Sequence, residues 1–190
     1  MKNNNFYTFG IIKPDGMSHK EDIIKMIYDA GLEIPYTEFD YLSDELIEEN
    51  YRHCLGKPFY EGMKKNLQSG AVLKMLIFDS EGDAVKKYRN VLGATKSCEA
   101  ASDTIRGKFG DKKITYKNVA HGSWNADEAN DEIVRFFKKD IFSLLLGVRE
   151  YTSDRKTSEI NDEYFDSNGF RQAVGKVAKR LNDFKSKRSK

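Results

Sequence analysis

The order of strand-like and helix-like segments is the feature that most restricts how this chain can fold. Segments rich in aromatic and β-branched residues predict strands; they are Phe6–Ile12, Leu32–Leu42 and Ala71–Asp79. Segments with apolar residues three or four positions apart predict helices; they are Lys20–Ala30, Ser43–Leu55, Tyr60–Gly70, Gly82–Gly93 and Asn125–Phe137. A short fourth strand is expected at Ile114–Ala120, just before a histidine.

This alternation predicts an α/β (α+β) sandwich, in which helices cover a four-stranded antiparallel sheet. A ferredoxin-like split βαβ arrangement is the fold that we expect. Pro35 cannot donate a backbone hydrogen bond, so it pushes the second strand toward a sheet edge or a bulge. Residues Ala94–Lys117 show little periodicity and are interpreted as a long functional loop.

The 190 residues suit one domain with an appendage. We assign residues 1–142 to the domain and residues 143–190 to a C-terminal extension, a polar linker followed by a basic amphipathic helix. From Arg171 to Lys190 the chain has eight basic residues and one acid. No aromatic pattern interleaves with these cations, so a nucleic-acid partner is not the favoured interpretation.

Composition excludes several classes of protein. The two cysteines do not form a disulfide framework, and a reduced compartment is the simpler interpretation. The net charge of +2 favours no particular partner. The sequence contains neither a signal-peptide pattern nor an apolar run long enough to cross a bilayer. We therefore expect a cytoplasmic protein without a membrane partner.

One of only three histidines, His121, lies between an apolar pair and a Gly-Ser step. No further metal ligands stand near it at short spacing, which argues against a zinc site. The sequence also lacks a strained-turn motif for a serine or cysteine nucleophile. The chain instead offers groups that bind phosphate; they are Lys13, Arg89, Thr95 and Arg106. Cations around a histidine suit phosphoryl transfer, with Glu132 as the acceptor that holds the imidazole.

Six segments together carry a more specific signal. They read IIKPDG, NYRHCLGKPFYEGM, SGAVLKML, YRNVLGAT, DTIRGKFG and NVAHGS…EANDEI. In these segments, which span Phe6–Phe137, the chain resembles the nucleoside diphosphate kinases. The resemblance implies ping-pong transfer of the γ-phosphate of a nucleoside triphosphate, ATP, to a nucleoside diphosphate through a phosphohistidine.

The resemblance also implies a role for each matching residue. His121 becomes the nucleophile through its δ nitrogen, while Glu132, with Ser123, holds the other nitrogen. Tyr51 donates its hydroxyl near the γ-phosphate. The residues implied in nucleotide binding are Lys13, Phe59 (under the base), Arg89, Thr95, Arg106 and Asn118. A Mg²⁺ ion is expected on the phosphates and water rather than on protein ligands, and a homo-oligomer is expected.

The chain departs from the family at several positions. Trp124 replaces the usual acidic residue after His121-Gly-Ser, where an indole could shield phosphohistidine, narrow the pocket or pack on a neighbouring subunit. Ser97 replaces a proline, and Ile114 is our prediction for the second face of the base. One alternative function is a catalytically weak nucleotide-binding scaffold whose basic C-terminal helix binds nucleic acid or an acidic surface. Another is phosphotransfer to protein histidines as a side reaction.

Overall fold

The computed structural model describes residues 5–139 together with Ile141 and Leu144. Apart from Leu144, the predicted C-terminal extension lies outside these residues. The strands of the described part are β1 (Tyr7–Ile12), β2 (Glu33–Asp40), β3 (Val72–Phe78) and β4 (Ala120–Gly122). Its α-helices are α1 (Lys20–Asp29), α2 (Asp44–Asn50), α3 (Tyr60–Gln68), α4 (Ala84–Leu92), α5 (Ile105–Phe109) and α6 (Ala126–Phe137). None of these helices combines the length and apolarity needed to cross a membrane.

The four strands form one antiparallel sheet in the order β2-β3-β1-β4, which confirms the predicted fold class. β2 lies at an edge of the sheet, and its pairing register shifts between Glu33 and Tyr36, around Pro35. Both consequences expected of a strand proline are therefore present.

Helices cover both faces of the sheet. Phe9 and Ile11 of β1 point into a core that α2, α3 and α6 complete, with Ile133 among its buried residues. Ile12 points the other way, into a core that contains Ile23 of α1 and residues of α4. Because successive strand residues alternate between faces, β1 is apolar on both sides and lies between the two cores.

The fourth strand is shorter than predicted and lies later in the chain. Ala120–Gly122 forms β4, whereas Ile114–Ala120 was predicted. Lys117 donates its backbone N–H to the carbonyl of Ile114 at 3.0 Å, which closes a turn instead. Val119 then takes a φ of 59°, and a residue in this left-handed region cannot continue an extended strand.

The segment Ala94–Lys117 is not structureless. It contains α5, whose N-cap Thr104 accepts a hydrogen bond from the Gly107 N–H at 3.2 Å. A helix of five residues is too short to show a repeating apolar pattern, so periodicity could not reveal it.

Candidate active site

His121 is presented by β4 next to the central strand. It pairs with Ile11, and the neighbouring pair is Gly10 with Gly122. A Cβ atom at Gly10 or Gly122 would lie within 2.9 or 2.6 Å of the Tyr88 ring. The two glycines therefore leave room for this phenol, whose hydroxyl donates to the His121 carbonyl at 3.2 Å.

The turn after β1 fixes the backbone just before His121. The Asp15 carboxylate accepts from the Val119 N–H at 3.0 Å, and the Lys13 N–H donates to the Val119 carbonyl at 2.8 Å. A Cβ at Gly16 would lie 2.5 Å from the Val119 carbonyl oxygen, so only glycine permits this approach. These contacts hold a β-branched residue in the strained left-handed region. Sequence reasoning missed this role of Asp15.

Behind the imidazole lies a buried carboxylate. His121 Nε2 is 2.7 Å from Oε1 of Glu132, whose side chain is 1% exposed. Ser123 donates its hydroxyl to Oε2 of the same carboxylate at 2.6 Å, and Asn50 donates its amide to Oε1 at 3.1 Å. Ser123 therefore holds Glu132 rather than the ring itself. Asn50 was not predicted, and no spacing in the sequence signals it.

These contacts determine which imidazole nitrogen is free. Burial raises the pKa of Glu132, but His121 and the hydrogen bonds from His121, Ser123 and Asn50 outweigh burial and lower that pKa below its ordinary value. An ionised carboxylate only accepts, so Nε2 carries the proton and Nδ1 keeps its lone pair. No hydrogen bond from the described residues reaches Nδ1. The side chain is 16% exposed, so the lone pair can be reached.

In front of His121 are two buried cations. Lys13 donates from Nζ to Oδ1 of Asn118 at 2.6 Å, and burial, with a smaller effect of Arg106, lowers the pKa of Lys13 to about 8. Arg106 donates to the carbonyls of Ala120 and Gly93 at 3.1 to 3.2 Å, and burial lowers its pKa to about 10. Neither cation forms an ion pair with a described residue, although the charge of Asp15 acts on Lys13 and partly offsets the lowering of its pKa.

Arg89 at the end of α4 is held differently. Its guanidinium carbon lies 3.6 Å from the ring centroid of Trp124, which is a close cation–π stack. Trp124 therefore packs within its own chain, next to the predicted phosphate-binding residues. No sequence pattern links these two positions, and the stack was not predicted.

A cavity of about 880 Å³ joins these groups. The predicted residues that line it are Lys13, Tyr51, Phe59, Arg89, Thr95, Arg106, Asn118 and His121. Glu132 and Ser123 lie behind His121 and are not part of the lining. Ile114 does not line the cavity either; Thr115 and Tyr116 do, because the turn at Lys117 carries Ile114 away. The lining residues that sequence reasoning missed include Cys54 and Met63.

The other two histidines have no such environment. His19 stacks on Phe109 with ring centroids 4.6 Å apart. His53 is exposed and lines the cavity without a hydrogen bond from its ring to a described residue. Only His121 combines a fixed ring nitrogen with a free one among the described residues.

Comparisons with known proteins agree with the motifs. A sequence model of the nucleoside diphosphate kinase family matches residues 7–142. The nucleoside diphosphate kinase of Natronomonas pharaonis is 37% identical over 136 residues, which are 70% of this chain and 86% of that protein. Thioredoxin domain-containing protein 6 of Xenopus laevis is 35% identical over 135 residues, 69% of this chain. The match covers 21% of that relative, so the chain spans about a fifth of its length.

Solved structures give the same answer. The apo nucleoside diphosphate kinase of Encephalitozoon cuniculi has a TM-score of 0.65 at 31% identity, covering 72% of this chain and 91% of that one. The enzyme of Halobacterium salinarum has a TM-score of 0.64 at 33% identity, covering 71% and 89%. With its sheet, its histidine strand and the match over residues 7–142, this chain belongs to the nucleoside diphosphate kinase family.

Proposed function

We propose that this chain is an active nucleoside diphosphate kinase. It transfers the γ-phosphate of a nucleoside triphosphate, ATP, to a nucleoside diphosphate by a ping-pong mechanism through phosphohistidine. The observation that carries this proposal is the placement of His121, whose Nε2 is fixed by Glu132 and whose Nδ1 is free, in a cavity with two unpaired buried cations.

The first half-reaction starts at Nδ1 of His121. Its lone pair attacks the γ-phosphorus, an N–P bond forms, and the bond from that phosphorus to the bridging oxygen breaks, which releases the nucleoside diphosphate. The imidazole ring gains positive charge in this step. The Glu132 carboxylate, 2.7 Å from Nε2, stabilises that charge and keeps Nε2 protonated. The second half-reaction is the reverse of the first: the phosphoryl group passes from His121 to another nucleoside diphosphate, and the N–P bond breaks.

The cations supply most of the stabilisation of the phosphates. Charge spreads over the non-bridging oxygens during transfer, and preorganised donors in a desolvated site stabilise it. Lys13, Arg89 and Arg106 are these donors, and Thr95 adds a hydroxyl. The buried Tyr51 hydroxyl has no hydrogen-bond partner among the described residues, and its ring packs edge-on against His121 at 5.8 Å. A phosphate oxygen is the acceptor that we assign to it.

The nucleoside end lies toward Phe59, which is 37% exposed at the cavity wall. An aromatic face stacks on purines and pyrimidines alike, so this contact selects no base. The Halobacterium salinarum relative was solved in complex with CDP, which fits such tolerance. Asn118, which already binds Lys13 through Oδ1, is assigned to the sugar hydroxyls.

A divalent cation, Mg²⁺, is assigned to the nucleotide rather than to the protein. The side chains assigned to the phosphates include the cations Lys13, Arg89 and Arg106, which repel a metal ion. The described residues contain no cluster of three His, Cys, Asp or Glu side chains suited to hold one. Phosphate oxygens and water would therefore be its ligands, and the ion would neutralise phosphate charge when bound.

We also propose a domain organisation, an assembly and a compartment for this protein. Residues 1–142 act as the catalytic domain, and residues 143–190 form an extension. The protein works as a homo-oligomer. It works in the cytoplasm.

The deciding experiment measures the mass of the intact protein after brief incubation with Mg-ATP at neutral to alkaline pH. We expect wild type to gain one acid-labile phosphoryl group, which added nucleoside diphosphates remove. His121→Ala should gain none, and His19→Gln should behave like wild type as the matched control. A wild-type protein that binds nucleotide but gains no phosphoryl group would replace the kinase by the nucleotide-binding scaffold.

A further inference from the structure

Trp124 is unusual because it is both exposed and specifically placed. Its side chain is 64% exposed, yet its ring lies 3.6 Å from the guanidinium carbon of Arg89. A tryptophan that only filled space would be buried against apolar neighbours. This exposed ring instead meets a cation at the wall of the cavity.

The stack occupies the face of the Arg89 guanidinium and leaves its edge free. A guanidinium carries its N–H donors in the molecular plane, so stacking on an aromatic ring consumes none of them. Arg89 forms no hydrogen bond or ion pair with a described residue through these donors. The stack therefore restrains the group while all of its donors stay available to an anion.

Arg106 shows the other way of fixing a guanidinium. Nε, Nη1 and Nη2 of Arg106 all donate to backbone carbonyls, those of Ala120 and Gly93. These hydrogen bonds hold Arg106 firmly but use part of its donor edge. The cavity thus contains one guanidinium held by its edge and one held by its face.

The indole is itself held in place by the start of α6. The backbone N–H of Trp124 donates to the Glu128 carboxylate, and Asn125 caps the helix by accepting from the Glu128 N–H at 2.8 Å. Glu128 is also the anion whose charge acts on Arg89. Without the ring, Arg89 would be free to pair with Glu128 instead of with a phosphate.

We propose that Trp124 is a positioning residue for Arg89, which holds the guanidinium at the cavity wall with its donor edge open to the phosphate chain of the nucleotide. This inference rests on the proposed function for the role of Arg89. It assigns to the indole a task that an acidic residue at this position could not perform by stacking.

The chain has one tryptophan, so fluorescence excited at wavelengths that the ten tyrosines do not absorb reports on this ring alone. In the protein without nucleotide, Arg89→Leu should change the emission of Trp124, whereas Lys86→Leu, an exposed control on the same helix, should not. An emission spectrum that Arg89→Leu leaves unchanged would show that the stack does not form in solution. This measurement needs no catalytic activity.

The functional test is a double-mutant cycle on ADP affinity, measured by isothermal titration calorimetry. Trp124→Leu should weaken ADP binding about two- to fivefold, the effect of one cation–π contact, and Trp124→Phe should retain part of the affinity. In an Arg89→Leu background, Trp124→Leu should cause no further weakening. Equal weakening in both backgrounds would show that Trp124 acts only on the general structure.

The outcomes separate this inference from the proposed function. If wild type forms phosphohistidine but the cycle shows no coupling, the kinase stands and the inference falls. If wild type forms none but the cycle shows coupling in ADP binding, the positioning role stands and the kinase falls.

Discussion

The two sides of His121 are built on opposite principles. Behind the ring, the Glu132 carboxylate accepts from three donors, those of His121, Ser123 and Asn50, and is complete without any ligand. In front of it, Lys13 and Arg106 are also buried but form no ion pair with a described residue. The rear network is complete without a ligand, whereas in the proposed function phosphates complete the front. Substitutions at the rear should therefore reduce stability and catalysis together, and those at the front should separate the two.

The largest effect is expected from Glu132→Gln, at the rear. An amide can donate to Nε2, which moves the imidazole proton to Nδ1 and removes the nucleophilic lone pair. We expect kcat to fall roughly a thousandfold or more, as when other catalytic histidines lose the acceptor that fixes their tautomer. The thermal midpoint should also fall, because the donors of Ser123 and Asn50, which now have two carboxylate oxygens, must share one carbonyl oxygen. Stopped-flow phosphorylation and calorimetry check the two parts, and a variant with near-normal kcat would contradict the assignment.

Lys13→Met tests the front. Loss of one preorganised donor should lower kcat/KM about a hundred- to a thousandfold. The thermal midpoint should change little, because replacing a buried charge by an apolar chain of similar length offsets the loss of the hydrogen bond to Asn118. Steady-state kinetics and calorimetry on the same preparation provide the comparison. A midpoint that falls as far as that of Glu132→Gln would show that the front is as self-sufficient as the rear.

Ser123→Ala perturbs the rear more gently. It removes one donor from Glu132 and leaves the contact with Nε2, so we expect about a tenfold loss of kcat, typical of one hydrogen bond to a charged group. The loss should grow at acid pH, because the pKa of Glu132 rises without that donor and the carboxyl protonates sooner. A pH profile of kcat identical to that of wild type would remove Ser123 from the network.

The smallest effect is expected from pH itself, acting on Lys13. Its pKa is about 8 in the folded protein and 10.5 ordinarily. The dissociation constant of ADP should rise about fourfold between pH 7 and 8.5 as the free amine forms.

The free energy of unfolding should increase over a similar pH range. Between about pH 8 and 10.5 the unfolded chain holds the Lys13 proton and the folded chain does not, so this group favours folding as pH rises through that window. Titration calorimetry and chemical denaturation, with Lys13→Met as the control that lacks both trends, measure them.

The fold was largely predictable because long segments repeat their patterns. Periodicity identified β1 and α6, and proline chemistry placed β2 at the edge. Periodicity did not identify β4 and α5, because elements of three and five residues are too short to show a repeating apolar pattern. Periodicity also cannot predict the left-handed backbone of Val119, because contacts with Asp15 and Gly16, which are distant in sequence, impose that conformation.

The candidate site also has a part that the sequence predicted and a part that it did not. The motifs contain the cavity-lining residues that the proposed mechanism uses, because the resemblance to the family assigns a role to each matching position. The contacts of Asn50 with Glu132 and of Arg89 with Trp124 join distant parts of the chain, and no local pattern encodes them. Thr115 and Tyr116 line the cavity in place of the predicted Ile114 because of one turn at Lys117. The sequence pattern does not reveal this turn.

The strand order has a consequence for how such a molecule is made. β1 comes first in the chain yet lies between β3 and β4, which come much later. During synthesis the backbone donors and acceptors on both edges of β1 lack their native partners until residues 72–78 have emerged. One edge stays without its partner until residues 120–122 have followed. Unpaired edges of this kind attract other strands, so the nascent chain is most vulnerable to aggregation in that interval. The histidine arrives on the strand that closes the sheet, and a nucleotide can bind productively only to a chain whose folding is nearly complete.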